Sequence, residues 1–123
     1  GAKLKLKVEP IRYMAFKPNR TLADLFRKNL ENLGMKEQLI LEDIELGSSD
    51  IGNVSQLVPT IHPEIAIAPE DVTCHTAAFE VAANSKRGDD MIVRSATLMA
   101  QTALDVLLSP RLVRAMHDEF NST

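Results

Sequence analysis

A chain of 123 residues with 45% hydrophobic and 25% charged side chains is long enough for one domain with a core, and it is not composed like a disordered tail. A formal net charge of −3 gives no global basic field to attract nucleic acid or an anionic membrane, and four Phe, one Tyr and no Trp are too few for a base-stacking platform. The single cysteine, Cys74, excludes a disulfide framework and suits a reducing cytoplasm. By eye, no apolar run reaches membrane-span length, and no signal-peptide core is visible.

Residues Leu4 to Val8 alternate apolar side chains with Lys5 and Lys7, the period-two signature of a half-buried strand that Pro10 closes. Ile11 to Pro18 has no clear period. A helix is predicted from Thr21, where Thr21 and Asp24 have capping-box spacing. Leu22, Leu25, Phe26, Leu30 and Leu33 form its apolar stripe, and Gly34 suits a left-handed cap. Between Met35 and Leu46 only Leu39–Ile40–Leu41, continued by Ile44 and Leu46, suggests a short strand.

Gly47 to Asn53 reads as a polar loop. Val58 to Pro69 has the apolar, β-branched content of buried strand, cut into short pieces by Pro59 and Pro63. A short helical run is expected from Thr76 to Ala83, and a long helix from Asp89 to Leu108, with Asp90 placed to pair with Arg94. Its stripe is Ile92, Ala96, Met99, Ala103 and Val106, widened by Val93, Ala100, Leu104 and Leu107, so it should lie covered against a sheet. Ser109 caps a last helix, Pro110 takes its first position, and Leu112, Val113, Met116 and Phe120 form its stripe. The order implies α/β layering, with more apolar helix surface than the few strands can cover.

His62, in an apolar strand region, reads as a hydrogen-bonded core histidine or a functional one. His117 reads as a boundary side chain on the last helix. His75 sits in a polar Thr-Cys-His-Thr stretch just before a helix, a place open to a ligand role. Gly47-Ser48-Ser49-Asp50-Ile51-Gly52-Asn53-Val54-Ser55 offers small residues and successive backbone N–H groups that can hold a carboxylate or phosphate, or else forms a polar turn followed by a helical turn capped by Ser49 or Asp50. It has neither Walker nor dinucleotide-binding spacing. The neighbours Cys74 and His75 lack the spatial pairing that a thiol nucleophile needs. Arg87-Gly88-Asp89 reads as a helix entry.

Taken together these pieces resemble the zinc-dependent amidohydrolase and carboxypeptidase family. Tyr13 to Asn19, followed by the Leu22–Gly34 helix, looks like the exit from that family's inserted lid domain. Gly47-Ser-Ser-Asp50 looks like its Gly-Ser/Thr-Ser/Thr-Asp loop. Gly52-Asn-Val-Ser-Gln-Leu-Val-Pro-Thr-Ile-His-Pro63 is similar to the longer form of the aminobenzoyl-glutamate hydrolase-like branch. His75-Thr76, with Phe79 close behind, looks like the motif supplying the last metal ligand, and Ala96 to Leu108 looks like the closing helix.

The resemblance implies an α/β fold: the last strand and exit of a lid (dimerisation) domain over 1–18, then over 19–123 the carboxy-terminal part of a catalytic domain, with helices on a short sheet. It implies a cytoplasmic metallopeptidase-type hydrolase that cleaves amide bonds of N-acyl amino acids or small dipeptides. Two zinc ions would serve the parent protein, with His75 as metal ligand and Gly47, Ser48, Ser49, Asp50 and Asn53 as substrate-binding residues. The general-base Glu and the other ligands would come from the amino-terminal remainder of the same polypeptide, so this portion alone should be inactive. A homo-oligomer is expected, with neither nucleic acid nor membrane as partner. Cys74 departs from the residue usual before that His. The rival readings are a structural or interaction domain that keeps the fold without the chemistry, and a Cys74–His75 thiol enzyme.

Overall fold

The computed structural model describes residues 1–7, 10, 12–38 and 49–122. Their regular structure is helical: α1 (Arg20–Asn32), α2 (Ile51–Ser55), α3 (Ala77–Ala83), α4 (Lys86–Leu108) and α5 (Pro110–Ser122). Helix α1 packs on both α4 and α5, which also pack on each other, and α3 packs on α4. The expected sheet is not among the described residues, where extended chain meets extended chain only in a parallel bridge between Pro18 and Thr60.

Two of the expected strands are absent among the described residues. Leu4 and Leu6 are exposed, and the stretch 1–7 forms no ladder with the other described residues. Val58 to Pro69 forms no strand, and Pro59 and Pro63 remove two ladder donors. It contributes Thr60 to the bridge and lays Ile61 and Ile65 on the core. The possible strand at Leu39–Leu41, Ile44 and Leu46 lies outside the described residues.

Helix α1 starts two residues earlier than its capping-box spacing suggests. Asn19, not Thr21, is the cap, and its Oδ1 accepts the Leu22 N–H at 3.0 Å. Gly34, at φ +72°, ends the helix as expected: its N–H reaches the Glu31 carbonyl and the Met35 N–H reaches that of Leu30, the paired bonds of a Schellman cap. Phe26 and Leu30 then bury against Leu98 of α4, with Leu33 and Met35 alongside.

Helix α4 also starts early, at Lys86, because the Ser85 hydroxyl caps it through the Gly88 N–H at 3.2 Å. Asp90 therefore pairs backwards with Lys86 at 2.9 Å, not forwards with Arg94. The covered face is also different. Leu98 and Thr102 are the buried residues of its centre, whereas Ile92, Met99 and Leu107 of the expected stripe are 67%, 66% and 80% exposed. The inner face carries polar chemistry: Asn29 of α1 donates to Thr102 Oγ1 at 3.2 Å and to Asp105 at 2.9 Å. Three smaller helices pack on α4, and its outer apolar face stays exposed among the described residues.

With 23 residues, α4 has the length and apolar composition to cross a bilayer, which corrects the expectation that no apolar run reaches that length. It packs on α1, α3 and α5 along one side, and most of its apolar surface is exposed. Ser109 caps α5 through the Leu112 N–H at 3.3 Å, and Met116 is buried, as expected.

Candidate functional site

The candidate loop continues into α2, and α2 has an unusual support. A helix of five residues cannot persist alone, and α2 packs against none of the other described helices. It is gripped by the extended segment 12–17. Asn53 donates through Nδ2 to the Arg12 carbonyl at 2.9 Å and accepts the Met14 N–H on Oδ1 at 3.2 Å. Gln56 donates to the Ala15 carbonyl at 2.7 Å. The fully buried Ser55 accepts the Lys17 N–H at 2.9 Å and donates to the Gly52 carbonyl at 2.6 Å. Gly52 makes the approach possible, since a Cβ there would lie 1.9 Å from the Met14 carbonyl oxygen.

This clamp uses four residues of the motif: Gly52, Asn53 and Ser55 lie within the small-residue stretch read from sequence as a possible ligand cradle, and Gln56 follows it. The signal was present: positions i, i+3 and i+4 of a short helix carry a glycine, a hydroxyl and an amide, a face suited to bind backbone and not to pack. Asn53, expected to touch substrate, has its carboxamide engaged with the Arg12–Met14 backbone.

At the amino end of α2, Ser49 Oγ accepts the Ile51 N–H at 3.3 Å, while Asp50 stands at the cap position with no side-chain cap bond and is exposed. Ser49, Asp50 and Asn53 thus belong to one turn-and-helix unit. Gly47 and Ser48 lie outside the described residues.

The extended segment is fastened in turn to the far end of α5. Lys17 Nζ donates to the Phe120 carbonyl at 2.7 Å and sits 4.2 Å from that ring's centroid. Asn19 Nδ2 donates to the Met116 carbonyl at 2.9 Å. The Glu119 carboxylate accepts the Arg20 N–H at 2.6 Å, the Thr21 N–H at 2.9 Å and the Thr21 hydroxyl at 2.7 Å. The bond from the Thr21 backbone, then that from its hydroxyl, holds the Glu119 carboxyl below its ordinary value.

His75 occupies a different place. It is exposed, at φ +64°, in the tight turn that delivers the chain into α3. Thr76 fixes that turn: its hydroxyl donates to the Thr73 carbonyl at 2.8 Å and accepts the Phe79 N–H at 3.2 Å. No hydrogen bond joins His75 to Ser49, Asp50 or Asn53. A left-handed backbone at a non-glycine residue costs of order 1 kcal/mol and persists only where its surroundings enforce it.

Zinc requires about four donors. Among the described residues no three His, Cys, Asp or Glu side chains come together, so these residues alone do not fit a zinc site. His62 and His117 are both exposed. For His62 this removes the reading as a core histidine. Cys74 is exposed beside His75.

No family model matches the sequence. Over 98% of its length the chain is similar to the Xaa-Arg dipeptidase of Mus musculus, at 37% identity, and to the Xaa-Arg dipeptidase of Homo sapiens, at 34%. The chain spans 28% of the length of each of these relatives. The similarity supports a dipeptidase or amidohydrolase family and does not separate its branches.

Proposed function

We propose that this chain is the closing part of a metal-dependent hydrolase that cleaves the amide bond of small dipeptides, those with a carboxy-terminal arginine first among them. The observation that carries the reading is the similarity to two Xaa-Arg dipeptidases over 98% of the chain. The residues behind the family resemblance, Gly47–Asp50, Gly52–Pro63 and His75–Thr76, lie within that aligned stretch.

In this reading His75 gives one imidazole to a zinc site whose remaining ligands, like the general base, come from the rest of the polypeptide. The strained, solvent-open turn that presents the ring favours a functional role over a packing one. The Gly47–Asp50 motif receives the substrate carboxylate. The outward apolar face of α4 and the exposed Leu4 and Leu6 then pack on the part of the protein that the relatives carry beyond this stretch.

The test uses the full polypeptide, assayed on alanyl-arginine with and without His75→Ala, together with its metal content by mass spectrometry. The variant is expected to lose bound zinc and to lose activity by more than the roughly 10–100-fold typical of residues that only orient a ligand. Unchanged zinc and unchanged turnover would remove His75 from the site. A full-length protein inactive on every dipeptide offered would remove the reading itself.

A further inference from the structure

We infer that the cleft between α1 and the α4–α5 junction binds a small organic cation, a guanidinium carried on a short apolar stem. The inference goes beyond the dipeptidase reading and stands without it.

The cleft has a volume of about 370 Å³ and is lined by Leu25, Leu108 and Leu112 together with the polar Asn29 and Asp105. Asn29 is only 6% exposed, and the orientation of its carboxamide is fixed. Its Nδ2 donates to Thr102 Oγ1 at 3.2 Å and to Asp105 Oδ2 at 2.9 Å, and a carboxylate can only accept. Two acceptors are left over, Asn29 Oδ1 and the second oxygen of Asp105. Neither takes a hydrogen bond among the described residues, and neither is sealed from solvent.

The charge of the cleft has the same sense. Asp105 is half-buried and forms no ion pair among the described residues, although the exposed Lys28 stands on the same cleft. The carboxyl ends of α1 and α4, near Asn32 and Leu108, border it and add partial negative charge, against the single amino end of α5. A half-buried carboxylate beside a free amide oxygen calls for a cation with several donors. A guanidinium presents its donors in one plane, and an alkyl stem can lie along the three leucines. An anion would instead meet Asp105 without a buried donor to offset it.

The experiment titrates the full-length polypeptide with butylguanidine by calorimetry, with butylurea as the neutral counterpart. Saturable binding in the millimolar range or tighter is expected. Butylurea should bind about tenfold more weakly or worse, because it lacks the charge-assisted bonds. Asp105→Asn keeps the shape of the cleft and should weaken butylguanidine about tenfold or more. Lys28→Glu alters an exposed side chain and should tighten it about twofold or more. A guanidinium held elsewhere on the polypeptide, such as where the arginine of a dipeptide would lie, is insensitive to both changes. No saturation by about 10 mM, equal affinity for butylurea, or unchanged binding in either variant would overturn the inference. Should Asp105→Asn fail to fold, Lys28→Glu decides alone, and unchanged affinity there overturns it.

Discussion

At His75 the side chain and the backbone make opposite demands. A left-handed residue prefers glycine, yet an imidazole stands there. His75→Gly should therefore retain thermal stability or gain up to about 1 kcal/mol, offset in part by glycine's extra unfolded-state freedom, while losing whatever the ring does. A fall in Tm would show that the ring itself packs. Glu119 makes the converse case. Its carboxylate completes the first turn of α1, so Glu119→Gln should cost about 1 kcal/mol near neutral pH. Because its folded-state value is depressed, that contribution is present above the ordinary value of 4.5 and fades as pH falls through the lower, folded one. Equal stability curves for the two proteins across that range would refute it. Neither residue was fully legible in sequence. His75 stood out by its polar surroundings and its resemblance, but a positive φ is invisible until the turn is built, and Glu119 looked like any acid on the last helix.

The helices were the readable level. The Leu22–Leu33 stripe, Gly34, the Thr76–Ala83 run and the Ser109–Pro110 restart appear where periodicity and capping chemistry put them, because those signals are local. Starting points moved where a better cap stood slightly upstream, as Asn19 does for α1 and Ser85 for α4. The face of α4 was misjudged for a longer-range reason. Periodicity reports which side is apolar, whereas tertiary contact decides which side meets α1. Leu98, fully buried there, should cost about 2–5 kcal/mol as Leu98→Ala by denaturant melting, and a loss below 1 kcal/mol would place the core elsewhere. Gly52→Ala tests the element that periodicity missed. The added methyl meets backbone and not a yielding side chain, so a loss of about 2 kcal/mol is expected, with faster amide exchange at Met14 and Lys17.

For the molecule as a whole, the expected sheet did not appear among the described residues, and the surplus of apolar helix surface noted from sequence is visible as the outer face of α4. A 23-residue helix with Ile92, Val93, Met99, Leu104 and Leu107 facing water is a strong attractor for another apolar surface. Met99→Glu should make the chain, expressed as this stretch alone, more soluble and more monodisperse by size exclusion. In the full polypeptide the same change should cost about 2 kcal/mol or more, because it buries a charge. If both proteins tolerate it equally, the face is not an interior one.

The binding of Glu119 to the head of α1 also sets an order of events. That carboxylate lies 98 positions downstream of Thr21, so the start of α1 stays frayed until nearly all of this stretch has been made. Asn19 and Lys17 wait on the same late arrival, through Met116 and Phe120. A chain ending just short of α5 should leave the 19–21 backbone open to protease while α2 still holds 12–17, and extension by that one helix should close it.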